Sequence, residues 1–396
     1  MPLQQPPDTR WSAVAALVAA GMVSAFQVGK AAIAVPLLQD DLGISLVFAS
    51  WIVGAFGALG AAFGLFAGSI VSMFEPRRSL VAGLAIVGLA SIAGAMAPNG
   101  TVLLITRIIE GCGFLATVLS VPRLLRAVSQ PADSDRVFAF WGAYLPLGAA
   151  AMMLIGPIFA QYSWQMLWLA NGVIALGYAA FIAALSFPPV QAGRVGAMTN
   201  IAQVVTSPGA IVVSLAFGIY TFHYFALTGL FPTLLIDQLG LSIASAGVIS
   251  ALTVLANGVG NLVAGILLKR GAALWAITLF GYVVIGVSGF AIFAPGLPVL
   301  AIAIVASVTL ALTGFIPASL FAATPRVAPT AALLAVTIGF MMNGSNLGLL
   351  VGPAALAAFS QRFGWENAPF LFIGVTVAGL AISLALRAVL QHKPQK

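Results

Sequence analysis

Charge is what this chain has least of. Asp, Glu, Lys and Arg make up only 6% of its 396 residues, where a soluble domain carries roughly 25%. Hydrophobic residues account for 61%, and the mean hydropathy is +1.11. No soluble fold hides that much apolar surface, so the surrounding solvent is expected to be lipid. Cysteine is nearly absent as well. The single Cys112 excludes an intrachain disulfide and a cysteine metal cluster. No phosphate-cradling G-x-x-x-x-G-K-S/T loop is present, which argues against nucleotide hydrolysis. No nucleophile–base pair or metal cluster suggests an enzyme, and no cofactor or metal is expected. The net charge of +7 would suggest nucleic acid in a soluble protein. Here the basic residues sit in short gaps between apolar runs, which is a topology signal, and no nucleic-acid partner is expected.

What is present is length of apolar run. Twelve helical spans can be read, over roughly 11–37, 45–72, 78–97, 100–127, 136–160, 164–187, 208–236, 242–268, 271–294, 297–322, 329–360 and 365–388. The predicted fold is an all-α membrane protein of two six-helix bundles, 11–187 and 208–388. Residues 1–10 and 389–396 read as cytoplasmic tails. A linker over 188–207 contains Pro188, Pro189 and Gly193 and is followed by Pro208. With the N-terminus inside, 13 of the 16 Lys and Arg residues fall on the inner side and only Arg362 in an outer gap. That bias places both termini in the cytoplasm and the chain in an inner (cytoplasmic) membrane.

The chain also reads as one unit written twice. Gly68 to Arg78 (GSIVSMFEPRR) and Gly265 to Gly271 (GILLKRG) each end an apolar run with a basic pair, Arg77–Arg78 and Lys269–Arg270. Pro36 followed by LLQDDLGIS resembles Pro232 followed by TLLIDQLGLS, and Gly156-Pro157 matches Gly352-Pro353, both at an offset of 196. Span n therefore corresponds to span n+6 in the same orientation.

Three motifs carry a family resemblance. Gly68-x-x-x-Ser72-Met73-x-Glu75-Pro76-Arg77-Arg78 resembles the loop 2–3 motif G-x-x-x-D-R-x-G-R-R-R of the major facilitator superfamily, with Ser72 at the acidic position and Glu75 at a glycine position. Arg107-x-x-Glu110-Gly111-x-Gly113 resembles that family's span 4 motif R-x-x-Q-G-x-G. Gly148 with Gly156-Pro157 resembles a span 5 motif of exporters that exchange substrate for protons. The resemblance covers essentially the whole chain. It implies alternating access by two rocking halves, with Gly68, Ser72, Arg77, Arg78, Gly156, Pro157, Gly265, Lys269 and Arg270 in gating roles, and spans 1, 4, 7 and 10 lining a central cavity.

Charges at membrane depth are costly, by about 2.5–3.5 kcal/mol each on insertion scales. Lys30, Arg107 and Glu110 therefore need a reason. Lys30 lies six residues before Pro36, and Glu110 follows Arg107 by one turn on the same face. With the cavity that the resemblance implies, Lys30 and Arg107 face one water-filled space and hold the negative group of a small organic or inorganic anion. Glu110 then couples protons, the alternative being an internal network that locks spans 1 and 4. Drug-exporting members of the family carry an acid where this chain has Gln27, a departure that favours a negative or zwitterionic substrate over a lipophilic cation. His223 occupies the repeat position of Gln27 and sits beside Tyr220 and Tyr224. It is a candidate hydrogen-bond donor or proton carrier, or a histidine satisfied by the protein. Asn343 and Asn346 either bind substrate or join helices. The expected partners are an anionic solute, protons or a counter-substrate, and the lipid bilayer, with a monomer as the working unit. The rival readings are a drug/proton antiporter and a non-transporting membrane sensor or scaffold.

Overall fold

The computed structural model describes residues 8–190, 201–330 and 333–391. All described regular structure is helical. The first half contains α1 (Trp11–Leu42), α2 (Leu46–Gly54), α3 (Ala58–Ser72), α4 (Pro76–Ala95), α5 (Gly100–Val128), α6 (Ser134–Gly142), α7 (Tyr144–Ala160) and α8 (Trp164–Ala184). The second contains α10 (Pro208–Asp237), α11 (Ile243–Lys269), α12 (Leu274–Ile292), α13 (Val299–Thr313), α14 (Phe315–Val327), α15 (Leu334–Phe363) and α16 (Ala368–Gln391). A short α9 (Ile201–Val205) precedes them. Among the described residues, eleven helices are long and apolar enough to cross a membrane, and twelve if the bent pair α6–α7 is one span. The linker's residues 191–200 lie outside the described residues, as do 1–7 and 392–396 of the tails.

Breaks inside the spans have local causes. The α6–α7 bend of 43° falls at Gly142–Ala143. Pro146 lacks the N–H that would bond the Gly142 carbonyl, and its ring crowds that carbonyl. Pro317 stands in the same relation to Thr313, where α13 gives way to α14. One expectation is corrected here. Span 1 does not end near Pro36; α1 continues to Leu42 and stops at Gly43, whose φ of 60° suits glycine. Lys30 therefore lies twelve residues from the helix end, about 18 Å along the axis, deeper than a stop at Pro36 implied. Gly240, with φ of 66°, closes the equivalent turn after α10. Ser45 and Ser242, the residues capping α2 and α11, accept from Phe48 N–H (3.1 Å) and Ser245 N–H (3.2 Å).

The same helix pairs pack in each half: α1 on α7 and α4 on α8 in the first, α10 on α15 and α12 on α16 in the second. Contact between the halves is made by α1 with α10, α2 and α3 with α15, and α7 with α11. On the face carrying the α1–α2 and α10–α11 turns, one buried apolar cluster joins Ala31, Val35, Leu46, Ala49 and Val53 to Leu227, Leu230, Phe231, Leu234 and Ala246. Towards the termini, the first half keeps a separate cluster that includes Leu17, Leu80, Leu124, Val128 and Ile182. No described residue of the second half belongs to it. The described core thus bridges the halves at the face opposite the termini.

Candidate functional site

The three charges at membrane depth come together inside the first half. Lys30 Nζ donates to Glu110 Oε1 at 2.8 Å and to Ser91 Oγ at 2.9 Å. Arg107 pairs with the other Glu110 oxygen, and its remaining nitrogens donate to the backbone carbonyls of Ile52 and Gln27, both at 3.1 Å. Its guanidinium also lies 5.1 Å from the Phe56 ring. Lys30, Arg107 and Glu110 are each 0% exposed. Their partners belong to α1, α2, α4, α5 and α8, so the network ties five helices of one bundle together.

This corrects the expectation of an open, water-filled space. Lys30 reaches towards α4 and α8, where Ser91 passes its own hydroxyl to the Trp168 carbonyl (2.8 Å) and the Trp168 ring lies 4.4 Å from Nζ. Bare cations in an apolar interior cost more than paired ones. Both cations have accordingly taken the single carboxylate and the nearest oxygen acceptors. Ser91 and Trp168 were missed in the sequence because neither lies near Lys30 along the chain.

Gln27 on α1 and His223 on α10 are both buried with no hydrogen-bond partner for their side chains among the described residues. His223 meets α16, with its ring edge-on to Phe372 at 4.9 Å, so it points away from the surface shared with the first half. The Tyr220 hydroxyl accepts from Asn257 Nδ2 at 2.9 Å, and the same amide donates to the Leu310 carbonyl. Asn261 in turn donates to the Asn257 carbonyl. These two asparagines stand out in the stretch NGVGN of an otherwise apolar span and were overlooked. Tyr224 packs 5.8 Å from Tyr220. Asn343 crosses between the halves, donating to the Ala61 carbonyl at 3.2 Å, while Asn346 donates to Met342 within its own helix at 2.8 Å.

Aromatic rings gather in both halves. Phe56 and Phe114 lie 4.5 Å apart, Phe114 and Tyr144 6.4 Å, and Tyr144 stacks on Trp141 at 4.2 Å. In the second half, Phe217 stacks on Tyr220 at 6.0 Å and meets Phe321 edge-on at 5.6 Å. Phe56 and Phe114 pack in the same apolar cluster as Phe217, Tyr220 and Tyr224. Away from helix ends, the described chain carries no charged residue besides Lys30, Arg107 and Glu110.

The loop 2–3 motif is fastened within its own half. Glu75 caps α4 by accepting from Arg77 N–H and Arg78 N–H, both at 2.9 Å, and the Arg77 guanidinium donates to the Ala183 carbonyl at 2.5 Å. The departure from glycine at Glu75 thus has a capping role. Gly68 and Ser72 fall in α3, but their side-chain surroundings lie outside the described residues. In span 5, Pro157 packs against Gly247 of the other half, whereas Gly156 has only ordinary contacts. Gly265 has no neighbour that a methyl would touch, and Lys269 and Arg270 are exposed at the end of α11.

Comparison with known proteins follows this geometry. A family model described as Major Facilitator Superfamily matches residues 17–337 and 213–396. The hexuronate transporter of Bacillus subtilis is 23% identical, covering 96% of this chain and 93% of its own. Puromycin resistance protein pur8 of Streptomyces alboniger is 27% identical over 44% of this chain, and the lincomycin resistance protein of Streptomyces lincolnensis 28% over 41%. The chain matches only about a third of the length of those two proteins, 35% and 34%. Among solved structures, a bacterial homolog of the human lysosomal transporter Spinster, inward-facing and occupied, superposes with a TM-score of 0.76. It covers 96% of this chain and 95% of its own at 13% identity. The nucleoside transporter NupG gives 0.79, also at 13%, covering 96% and 100%.

Proposed function

The chain belongs to the Major Facilitator Superfamily of membrane transporters, and we propose that it moves a lipophilic, aromatic solute of low charge by proton-coupled alternating access. The surfaces between the halves carry this reading. They present the rings of Phe56, Phe114, Tyr220 and Tyr224 and the amides of Asn257 and Asn343, while both buried cations are taken up by Glu110. An aromatic, amide-lined surface binds by area and a few placed hydrogen bonds. The matches to proteins named for antibiotic resistance point the same way. The Lys and Arg bias supports an orientation with both termini in the cytoplasm. With that orientation, the apolar core that joins the halves lies towards the outer face.

A second reading, transport of a small carboxylate, is favoured by one observation. Two cations against one carboxylate leave a formal charge of +1 in the Lys30–Glu110–Arg107 network, and the hexuronate transporter matches along nearly its whole length. In that reading a substrate carboxylate displaces Glu110.

A thermal-shift panel on the purified full chain separates the two, because a ligand of the folded state raises the melting temperature. Puromycin and chloramphenicol are expected to stabilise, and glucuronate and phosphate to leave the transition in place. Stabilisation by glucuronate alone would overturn the aromatic reading in favour of the carboxylate one. Tyr220→Phe tests the site itself. It removes a hydroxyl proposed to meet the solute and leaves one Asn257 N–H unpaired, so puromycin binding should weaken by about 0.5–1.5 kcal/mol while the unliganded melting temperature falls modestly. Unaltered affinity, read by titration calorimetry, would place the solute away from Tyr220.

A further inference from the structure

We propose that the exchanged proton is carried by Lys30 rather than by Glu110. This rests on the proton-coupled reading above and assigns its coupling residue. The three ammonium hydrogens of Lys30 have distinct destinations. One goes to Glu110 Oε1 (2.8 Å) and one to Ser91 Oγ (2.9 Å). Ser91 uses its own hydrogen on the Trp168 carbonyl, so it is the acceptor in this pair. The third hydrogen has only the Trp168 ring, at 4.4 Å from Nζ, and no oxygen acceptor among the described residues. Loss of that proton leaves an amine that keeps both hydrogen bonds, and the packing of five helices survives the change.

Charge counting selects the same residue. With Arg107 permanently charged, the network holds +1 when Lys30 is protonated and Glu110 ionised. Release of the Lys30 proton takes it to zero. Protonation of Glu110 would take it to +2, with two cations stranded around a neutral acid. Only the first change lowers the charge buried in an apolar interior.

The groups facing Lys30 are few. From α5 come Glu110 and Arg107, from α4 Ser91, and from α8 Trp168. One turn back on α1 is Gln27, an uncharged amide whose side chain has no partner. On the α7 side, Gly29 meets Ala149 and Met152, which do not titrate. In the step proposed, an N–H bond of Lys30 breaks, its electron pair stays on Nζ, and the proton passes to water when the bundle opens to one face. Solute binding drives the release and reprotonation from the other face resets the network.

Only four lysines occur in the chain, Lys30, Lys269, Lys393 and Lys396, so side-chain NMR of lysine-labelled full-length protein resolves the carrier. The Lys30 signal is the one absent from Lys30→Arg. At constant pH, puromycin is expected to move it from the ammonium towards the amine position, while an indicator dye reads proton release. Lys30→Arg keeps the charge but holds its proton. Because solute binding and the Lys30 proton oppose each other, it should bind puromycin more weakly and lose accumulation driven by a pH gradient. A Lys30 signal that stays put while puromycin binds, or gradient-driven accumulation that survives in Lys30→Arg, overturns the assignment and leaves the transport reading intact. Wild-type puromycin transport indifferent to a pH gradient overturns the proton-coupled reading, and the Lys30 assignment with it.

Discussion

Glu110→Gln is expected to destabilise the folded protein by about 3–5 kcal/mol, because removal of one partner strands the charges that remain. The variant keeps the size of the side chain and loses its charge. Lys30 and Arg107, each 0% exposed, would then share no anion. Lys30 can shed its proton to relieve the repulsion, but Arg107 cannot, so at least one cation stays uncompensated. The loss should deepen as pH falls, since acid keeps the Lys30 proton in place. Adding Lys30→Met to Glu110→Gln removes one stranded cation and should recover part of the stability, making the pair non-additive. Melting temperatures of the three variants in one detergent decide it. A Glu110→Gln protein that melts like wild type would mean that the network contributes little to the bundle, and the open anion site would regain its claim.

The charges themselves were legible in the sequence because charge is so scarce. The depth of Arg107 was legible too, since depth follows from counting residues at about 1.5 Å each, but Lys30 lies about twice as deep as a stop at Pro36 implied. What counting could not give is direction around the helix. Lys30 and Gln27 are three residues apart on α1, yet whether Lys30 turns to α4 and α8 or to the other half depends on which faces those helices occupy. Only the packed structure places Ser91 and Trp168 beside it. The stop at Pro36 failed for a related reason. A helix in lipid keeps its hydrogen bonds wherever it can, and α1 runs on to the left-handed Gly43. The duplication, by contrast, was carried by turn and cap residues such as Gly43 with Gly240 and Ser45 with Ser242. Their chemistry is local, and so is their signal. Glu75 looked like a degraded motif position from the sequence, and its two bonds to the start of α4 became visible only with the backbone in view.

A disulfide between Val53→Cys and Gly229→Cys, in a Cys112→Ser background, is expected to stop transport completely. The two positions lie in opposite halves, and a methyl placed on Gly229 would sit 3.2 Å from Val53 Cγ1. The two Cβ positions therefore fall close to the roughly 3.5–4.5 Å that a disulfide spans. The substitution itself relieves the crowding, because the Val53 Cγ1 atom is removed along with it. Both residues lie in the part of the core that joins the halves opposite the termini. Alternating access by rocking requires this contact to part and the terminal face to close in its place. With the bond formed, puromycin exchange in proteoliposomes should vanish, and a reductant should restore it to the level of the unlinked double variant. Alternating access then leaves the terminal face as the route by which puromycin should still bind the linked protein. The separation of binding from translocation is the result that bears on mechanism. A linked protein that still exchanges solute would show that the halves need not part between Val53 and Gly229. The passage would then have to open by bending within a half, for which the α6–α7 break at Gly142 and the α13–α14 break at Gly314 are the structural starting points.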